Sequence, residues 1–122
     1  GLIQALSVPL TSHLHLHHGL ANAIILPHVV RFNLPAIPDQ RRRRLNDSFG
    51  LAATANDETF VSTLTQFVRN LGLPTSLREL DLSLNGVAWD AIAEETTRMV
   101  LIHNNPRSAT QDECRTILEQ MQ

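Results

Sequence analysis

Residues 20–30 form the stretch that most constrains the fold, because their side chains are apolar almost all the way round a helix. A surface helix shows an apolar stripe on one face only, so a helix of this kind belongs at the centre of a domain. Asn22, Pro27 and His28 interrupt the stretch, and it is shorter than the roughly 20 residues needed to cross a bilayer. We therefore predict a buried central helix over residues 18–32, kinked at Pro27.

The other apolar residues also recur with helical spacing, and no segment alternates in the manner of a β-strand. The predicted fold class is all-α, a compact bundle of five to six helices joined by short links. The chain has 122 residues, 43% of them hydrophobic, and is expected to form a single all-helical domain over residues 1–122. The predicted helices cover residues 2–10, 18–32, 39–49, 57–71 and 87–102, and the last one begins after Thr110.

Local signals set the predicted ends of these helices. Pro9 is expected to end or bend the first helix, and a connecting turn is predicted over residues 12–17. Asn56 is a favoured N-cap residue, and Thr110 and Glu113 form a predicted capping box. The predicted core positions of the later helices are Phe60, Leu64, Phe67, Val68, Leu71, Trp89, Ile92, Met99, Val100, Cys114, Ile117, Leu118 and Met121.

Charge and composition exclude several classes of function. The net charge of -2 and the pI near 6.3 do not favour nucleic acid or an anionic membrane as a partner. All ten basic residues are arginine, so lysine Schiff-base and P-loop chemistry are excluded. Four of them form the run 41–44, and because no aromatic residues interleave with it, we expect a solvated helix face. The single cysteine, Cys114, predicts an inert buried thiol and a reducing, cytoplasmic location.

Histidines cluster just before the central helix, at His13, His15, His17 and His18. In an extended segment the first three would share one face, so the cluster is a candidate metal site. The alternative is a solvent-exposed turn that is simply rich in histidine, since no carboxylates lie nearby in the sequence. For His28 and His103, which fall in helical patterns elsewhere, we expect packing or local hydrogen bonds. The run Asn105-Pro106-Arg107 is expected to stop a helix.

Three segments of the chain carry a resemblance to the iron-containing (group III) alcohol dehydrogenases. The family signature is similar to the run His18-Gly19-Leu20-Ala21-Asn22-Ala23, continuing through Leu26-Pro27-His28 to Arg31-Phe32-Asn33. The other two segments are Leu71-Gly72-Leu73-Pro74 with Leu77-Arg78-Glu79-Leu80, and Asn105-Pro106-Arg107. The resemblance covers essentially the whole chain. It implies the all-helical, metal-side domain of the family, without the N-terminal dinucleotide-binding domain that holds NAD(P).

The resemblance also implies a divalent metal, iron or zinc, held in part by this domain. His18 matches one metal ligand of the family, and a second ligand position fourteen residues earlier is occupied by Gln4. A family histidine that faces the nicotinamide corresponds to Val8. Glutamine is a poor replacement for imidazole at a softer divalent metal, and valine can neither relay a proton nor form a hydrogen bond. A degraded metal site is therefore expected.

The leading functional hypothesis is the C-terminal metal-binding domain of an iron-dependent, NAD(P)-linked alcohol dehydrogenase acting on primary alcohols or aldehydes. The isolated chain is expected to be inactive, and NAD(P) would bind only if an N-terminal domain is supplied. The alternative is a non-catalytic helical interaction module that self-associates through the surface left by the missing domain. A third hypothesis is metal storage by the histidine cluster. The expected partner is a second copy of the chain or a separate nucleotide-binding domain, with no nucleic acid and no membrane.

Overall fold

The computed structural model describes residues 1–122 and contains six α-helices and no β-strand, as the sequence predicts. None of the helices combines the length and the apolar character that a bilayer crossing requires. Short 3-10 turns cover Leu34–Ala36, Leu77–Glu79 and Val100–Asn104. The α-helices are α1 (Leu2–Leu14), α2 (His18–Asn33), α3 (Asp39–Ser48), α4 (Asp57–Asn70), α5 (Trp89–Arg98) and α6 (Gln111–Gln120).

The second helix, α2, lies at the centre of the bundle, which confirms the prediction from its apolar pattern. It packs against α1 and α4 and also touches α6, while α5 packs against both α1 and α6. The main core contains 16 buried apolar residues, which include Leu6, Ile25, Ile92 and Leu118. A smaller core of Leu34, Phe60 and Val61 joins the end of α2 to α4.

The predicted caps begin α4 and α6. The Asn56 side-chain oxygen accepts a hydrogen bond from the Thr59 backbone N–H at 2.9 Å. The Thr110 hydroxyl accepts from the Glu113 N–H at 3.1 Å, and the Glu113 carboxylate accepts from the Thr110 N–H at 3.1 Å. These contacts satisfy N–H groups that the first turn of a helix leaves without partners, which is why both helices start where the sequence predicts.

The first helix does not end at Pro9, contrary to the prediction. It continues to Leu14, so the predicted turn over 12–17 shrinks to residues 15–17. Pro9 and Leu10 are both buried in the bundle, and Leu10 belongs to the main core. Burial of this face outweighs the backbone hydrogen bond that a proline cannot donate, because tertiary packing supplies most of the stability of a protein helix.

The predicted helix over residues 87–102 is shorter than expected. It ends at Arg98, where Met99 adopts an extended backbone with φ -71° and ψ 128°. The hydroxyls of Thr96 and Thr97 donate to backbone carbonyls of the preceding turn, a local competition that weakens a helix end. Val100, predicted to face inward, starts the following 3-10 turn and is 79% exposed.

Only part of the apolar stripe predicted for α4 is buried. Phe60, Leu64 and Val68 are buried, whereas Phe67 and Leu71 are exposed. The apolar stripe of α4 is wider than the surface that packs against α2, so its outer residues stay exposed. Phe67 instead lies edge-on to Phe49, with the ring centroids 6.5 Å apart.

The sequence predicts a solvated helix face for the basic run on α3, but one of its four arginines is largely covered in the structure. The Arg42 side chain is only 11% exposed and forms an ion pair with Asp57 at 3.2 Å. It also donates to the side chain of Asn46, which is itself buried, and its guanidinium lies 4.8 Å from the centre of the Phe60 ring. Arg42 therefore fastens α3 to α4, and the other three arginines of the run are exposed.

Candidate functional site

The turn between α1 and α2 is built by two of its histidines. His15 adopts the left-handed backbone conformation, with φ 55°, and ends α1. His17 precedes α2, and its Nδ1 accepts a hydrogen bond from the Gly19 backbone N–H at 3.2 Å. An imidazole here fills the place of a side-chain N-cap. Both histidines thus serve the turn itself.

His13 and His18 contact different parts of the bundle. The His13 Nε2 lies 3.0 Å from Oε1 of Glu95 on α5. The His18 Nδ1 lies 3.3 Å from the Oγ of Ser7, a buried residue of α1. The four clustered histidines therefore have four separate environments, and no three His, Cys, Asp or Glu side chains are grouped so as to hold a metal ion. The geometry favours the histidine-rich turn over a metal site made by the cluster.

Gln4 and Val8 lie one turn apart on α1 and are both exposed, Val8 at 41%. Residues at i and i+4 share one face of a helix, so both side chains lie on the same side of α1. Ser7 links this helix to His18 through the 3.3 Å contact. The exposed groups offered here are one neutral amide, one apolar side chain and one imidazole whose Nδ1 is already engaged.

A second cluster of polar residues lies at the other end of α2. The amides of Asn33 and Asn105 exchange two hydrogen bonds, of 3.0 and 2.7 Å. The Asn105 Oδ1 also accepts from the Leu2 backbone N–H at 3.3 Å, and its amide nitrogen donates to the Arg107 carbonyl at 2.7 Å. Asn105 thus joins the start of α1, the end of α2 and the segment before α6.

Arg107 completes this junction. Its Nη1 donates to the Phe32 carbonyl at 2.7 Å, and its guanidinium lies 4.1 Å from the centre of the Phe32 ring. A weaker ion pair connects it to Glu113 of α6 at 3.4 Å. The sequence predicts Asn105-Pro106-Arg107 as a helix stop and as a segment of the family resemblance, but it does not predict this junction. The available signal was that the segment and residues 31–33 belong to the same family resemblance.

Burial and hydrogen bonds shift the pKa of three ionisable groups away from their ordinary values. Burial and the positive charge of Arg31 lower the pKa of His28, although the nearby Thr75 backbone acts in the opposite direction. Hydrogen bonds from Thr75 and Ser76 lower the pKa of Glu79. Burial, aided by Glu113, raises the pKa of the Cys114 thiol to about 11, which fits the predicted inert cysteine. For His103 the sequence predicts packing or local hydrogen bonds, and the structure shows its side chain exposed rather than packed in the core.

Comparison with known proteins identifies the family. The model of the Fe-containing alcohol dehydrogenase family, C-terminal, matches residues 1–122. The chain is 28% identical to the 1,3-propanediol dehydrogenase of Klebsiella pneumoniae and 34% identical to the 4-hydroxybutyrate dehydrogenase of Cupriavidus necator. Each alignment covers 98% of this chain and 32% of the relative. The crystal structure of a 1,3-propanediol oxidoreductase superposes with a TM-score of 0.81 at 26% identity, over 100% of this chain and 32% of that one.

The chain therefore belongs to the Fe-containing alcohol dehydrogenase family and has the fold of its C-terminal helical domain. It spans about a third of the length of the relatives it matches. The residues present do not fit the iron centre that the family implies. Of the two ligand positions expected in this domain, only His18 has an imidazole, and Gln4 offers a neutral amide.

Proposed function

We propose that this chain is the helical, metal-side domain of an NAD(P)-linked oxidoreductase homologue for primary alcohols or aldehydes, with a degraded metal site. On this proposal residues 1–122 form one domain and do not catalyse turnover by themselves. The observation that carries it is the exposed face of α1, which bears Gln4 and Val8, while the only imidazole at these family positions is His18, joined to α1 through Ser7.

The chemistry available at this face supports the proposal. Val8 can neither donate nor accept a proton, so it cannot assist a hydride transfer at a nicotinamide through a hydrogen bond. Gln4 carries no charge and is a weak ligand for the softer divalent metals. The His18 Nδ1 is engaged with Ser7, so at most one ring nitrogen remains for another partner. These groups do not give the chain a complete ligand set for alcohol oxidation.

An activity assay tests the proposal. The purified chain, supplied with Fe(II) or Zn(II) and with NAD or NADP, should not oxidise 1-propanol, 1,3-propanediol or 4-hydroxybutyrate above a protein-free blank. A separately expressed N-terminal dinucleotide-binding domain of the family, added in trans, should not produce turnover either. Metal-dependent alcohol oxidation in either mixture, abolished by His18→Ala, would contradict the proposed loss of activity.

A second candidate function is a non-catalytic interaction module. The observation in its favour is that apolar side chains are exposed on several elements, including Val8 on α1, Phe67 on α4 and Val100 after α5. The expected partner is a second copy of the chain or a separate nucleotide-binding domain. Light scattering across a concentration series should then give a mass above one chain, or a complex with the added domain. A chain that stays strictly monomeric and does not bind the added nucleotide-binding domain would exclude this function.

A further inference from the structure

A polar cleft between α2 and α4 lies apart from the residues that carry the proposed function. Its volume is about 260 Å³, and none of its lining residues is a carboxylate. A neighbouring cavity of about 320 Å³ shares Arg31, Thr65 and Arg69 with it. The polar side chains that matter for the cleft are His28, Arg31, Thr65, Arg69, Thr75 and Gln120.

Arg69 is the cation of this cleft that lacks a carboxylate partner. Its Nε donates to the Thr75 hydroxyl at 3.2 Å, which fixes the guanidinium beside the cleft. No Asp or Glu lies within ion-pair distance, whereas Arg31, Arg42, Arg98, Arg107 and Arg115 each have such a partner. The two terminal nitrogens of Arg69 therefore remain available to an anion.

Arg31 supplies a second guanidinium that an anion can recruit. Its only carboxylate partner is Glu58, at 3.2 Å, and the two side chains are 38% and 71% exposed. Exposed ion pairs of this kind are weak, since solvent and salt screen the attraction. An anion in the cleft can therefore share or displace Glu58 at little cost.

His28 lines the cleft and contains an unsatisfied polar atom. Its Nδ1 is buried and has no hydrogen-bond partner. A buried polar atom without a partner is unfavourable, so the polar contacts of this side chain are incomplete in this structure. His28 also lines a third cavity, of about 250 Å³, together with Arg31 and Gln120.

A second carboxylate near the cleft, that of Glu79, is already occupied. Oxygen Oε2 of Glu79 accepts hydrogen bonds from both backbone N–H groups and both hydroxyls of Thr75 and Ser76, at 2.8 to 3.2 Å. Four donors on one oxygen offset much of its negative charge locally. Glu79 does not line the cleft, so its repulsion of an incoming anion is reduced.

We propose that this cleft binds a phosphate group, either as inorganic phosphate or as the monoester of a small metabolite. Two guanidinium groups match the oxygens of a tetrahedral oxyanion, because arginine donates in a planar fork suited to phosphate. The proposal is independent of alcohol chemistry and stands whether or not the α1 face binds a metal.

Calorimetry and two-dimensional amide NMR at constant ionic strength test this site, with inorganic phosphate and glycerol 3-phosphate as the probes. Saturable binding of one equivalent is expected, with shifts confined to the cleft. Arg69→Gln and Arg31→Gln should each lower the affinity about tenfold. The matched control is Arg44→Gln, which removes the same charge from an exposed position on α3 and should leave the affinity unchanged.

The two probes separate the sources of the phosphate. Tighter binding of the monoester assigns the site to a metabolite, and equal affinities assign it to the phosphate group alone. The proposal fails if neither probe saturates, if both cleft variants bind as the unaltered chain does, or if Arg44→Gln weakens binding as much as Arg69→Gln. The last result would show that only the overall charge attracts the anion.

Discussion

The two ends of α2 belong to one continuous family match, yet they differ in what they retain. At the N-terminal end, His18 contacts Ser7 of α1, the helix that also carries Gln4 and Val8, and only one of these three family positions has an imidazole. At the C-terminal end, Asn33, Asn105 and Arg107 form a network that joins three separate segments of the chain. The comparison teaches that similarity along a helix covers two kinds of position, those that the family resemblance assigns to metal binding and those that join segments of the fold.

The difference has a physical basis. A half-buried hydrogen-bond network must stay complete, because losing one partner leaves others unsatisfied. An exposed ligand position carries no such constraint, since water satisfies whichever side chain replaces the ligand. The fold can therefore persist when the metal ligands do not. Four predictions test this contrast.

Replacing Asn105 should have the largest effect. Asn105→Ala removes the exchange with Asn33 and leaves the Leu2 N–H without its partner, so the free energy of unfolding should fall by about 2–3 kcal/mol. Urea denaturation followed by circular dichroism measures the loss. The control Asn104→Ala, at an exposed neighbouring position, should change stability by less than about 0.5 kcal/mol. An equal loss of unfolding free energy in the two variants would show that the hydrogen bonds of Asn105 do not stabilise the fold.

Arg107 should contribute less than Asn105, because its side chain is partly exposed. Arg107→Ala loses the stacking on Phe32 and the hydrogen bond to its carbonyl, and should cost about 1–2 kcal/mol. Arg107→Lys should recover only a part, since an ammonium group lacks the planar fork. The same denaturation series provides the test, with Arg98→Ala as an exposed control. Full recovery of the unfolding free energy in Arg107→Lys would show that Arg107 stabilises the fold only through its charge.

His28 should make stability depend on pH. Its folded-state pKa is lowered by burial and by Arg31, so the unfolded chain binds the proton more readily. The contribution is fully present above the ordinary histidine pKa and is lost as the pH falls through the lowered one. NMR titration should find the His28 pKa below that of a model peptide, and His28→Gln should flatten the pH dependence of unfolding. A His28 pKa equal to that of the model peptide would contradict this prediction.

The smallest effects are expected at the α1 face. Gln4→Ala and Val8→Ala remove exposed side chains, so each should change the free energy of unfolding by less than about 0.5 kcal/mol. Thermal and urea denaturation both give this value. A loss comparable to that of Asn105→Ala would show that these residues maintain the fold, and the contrast between the two ends of α2 would not hold.

Much of the fold follows from sequence because local and tertiary signals agree. The all-round apolar pattern of residues 20–30 places α2 at the centre, and the caps at Asn56 and Thr110 fix the starts of α4 and α6. The predictions fail where packing overrides a local signal. Because Pro9 and Leu10 are buried, α1 continues beyond Pro9 to Leu14. In α4, only part of the apolar stripe packs against the bundle, so Phe67 is exposed.

The candidate site is less predictable, since its partners come from distant segments. The pairing of Asn33 with Asn105, 72 residues apart, has no periodicity to reveal it. The contacts of His13 with Glu95 and of His18 with Ser7 likewise depend on how the helices pack. Only the family resemblance indicates positions 4 and 8 in advance, whereas His18 also belongs to the histidine cluster. The roles of His18 and Gln4 as ligands remain predictions.

The most direct test of the central claim, that the family fold is kept while its metal centre is lost, is the metal content at equilibrium. The chain is dialysed anaerobically against micromolar Fe(II), and in parallel against Zn(II), and bound metal is measured by mass spectrometry. We predict well below one equivalent per chain, with His18→Ala no different. One tightly held equivalent, lost in both His18→Ala and Gln4→Ala, would contradict the claim.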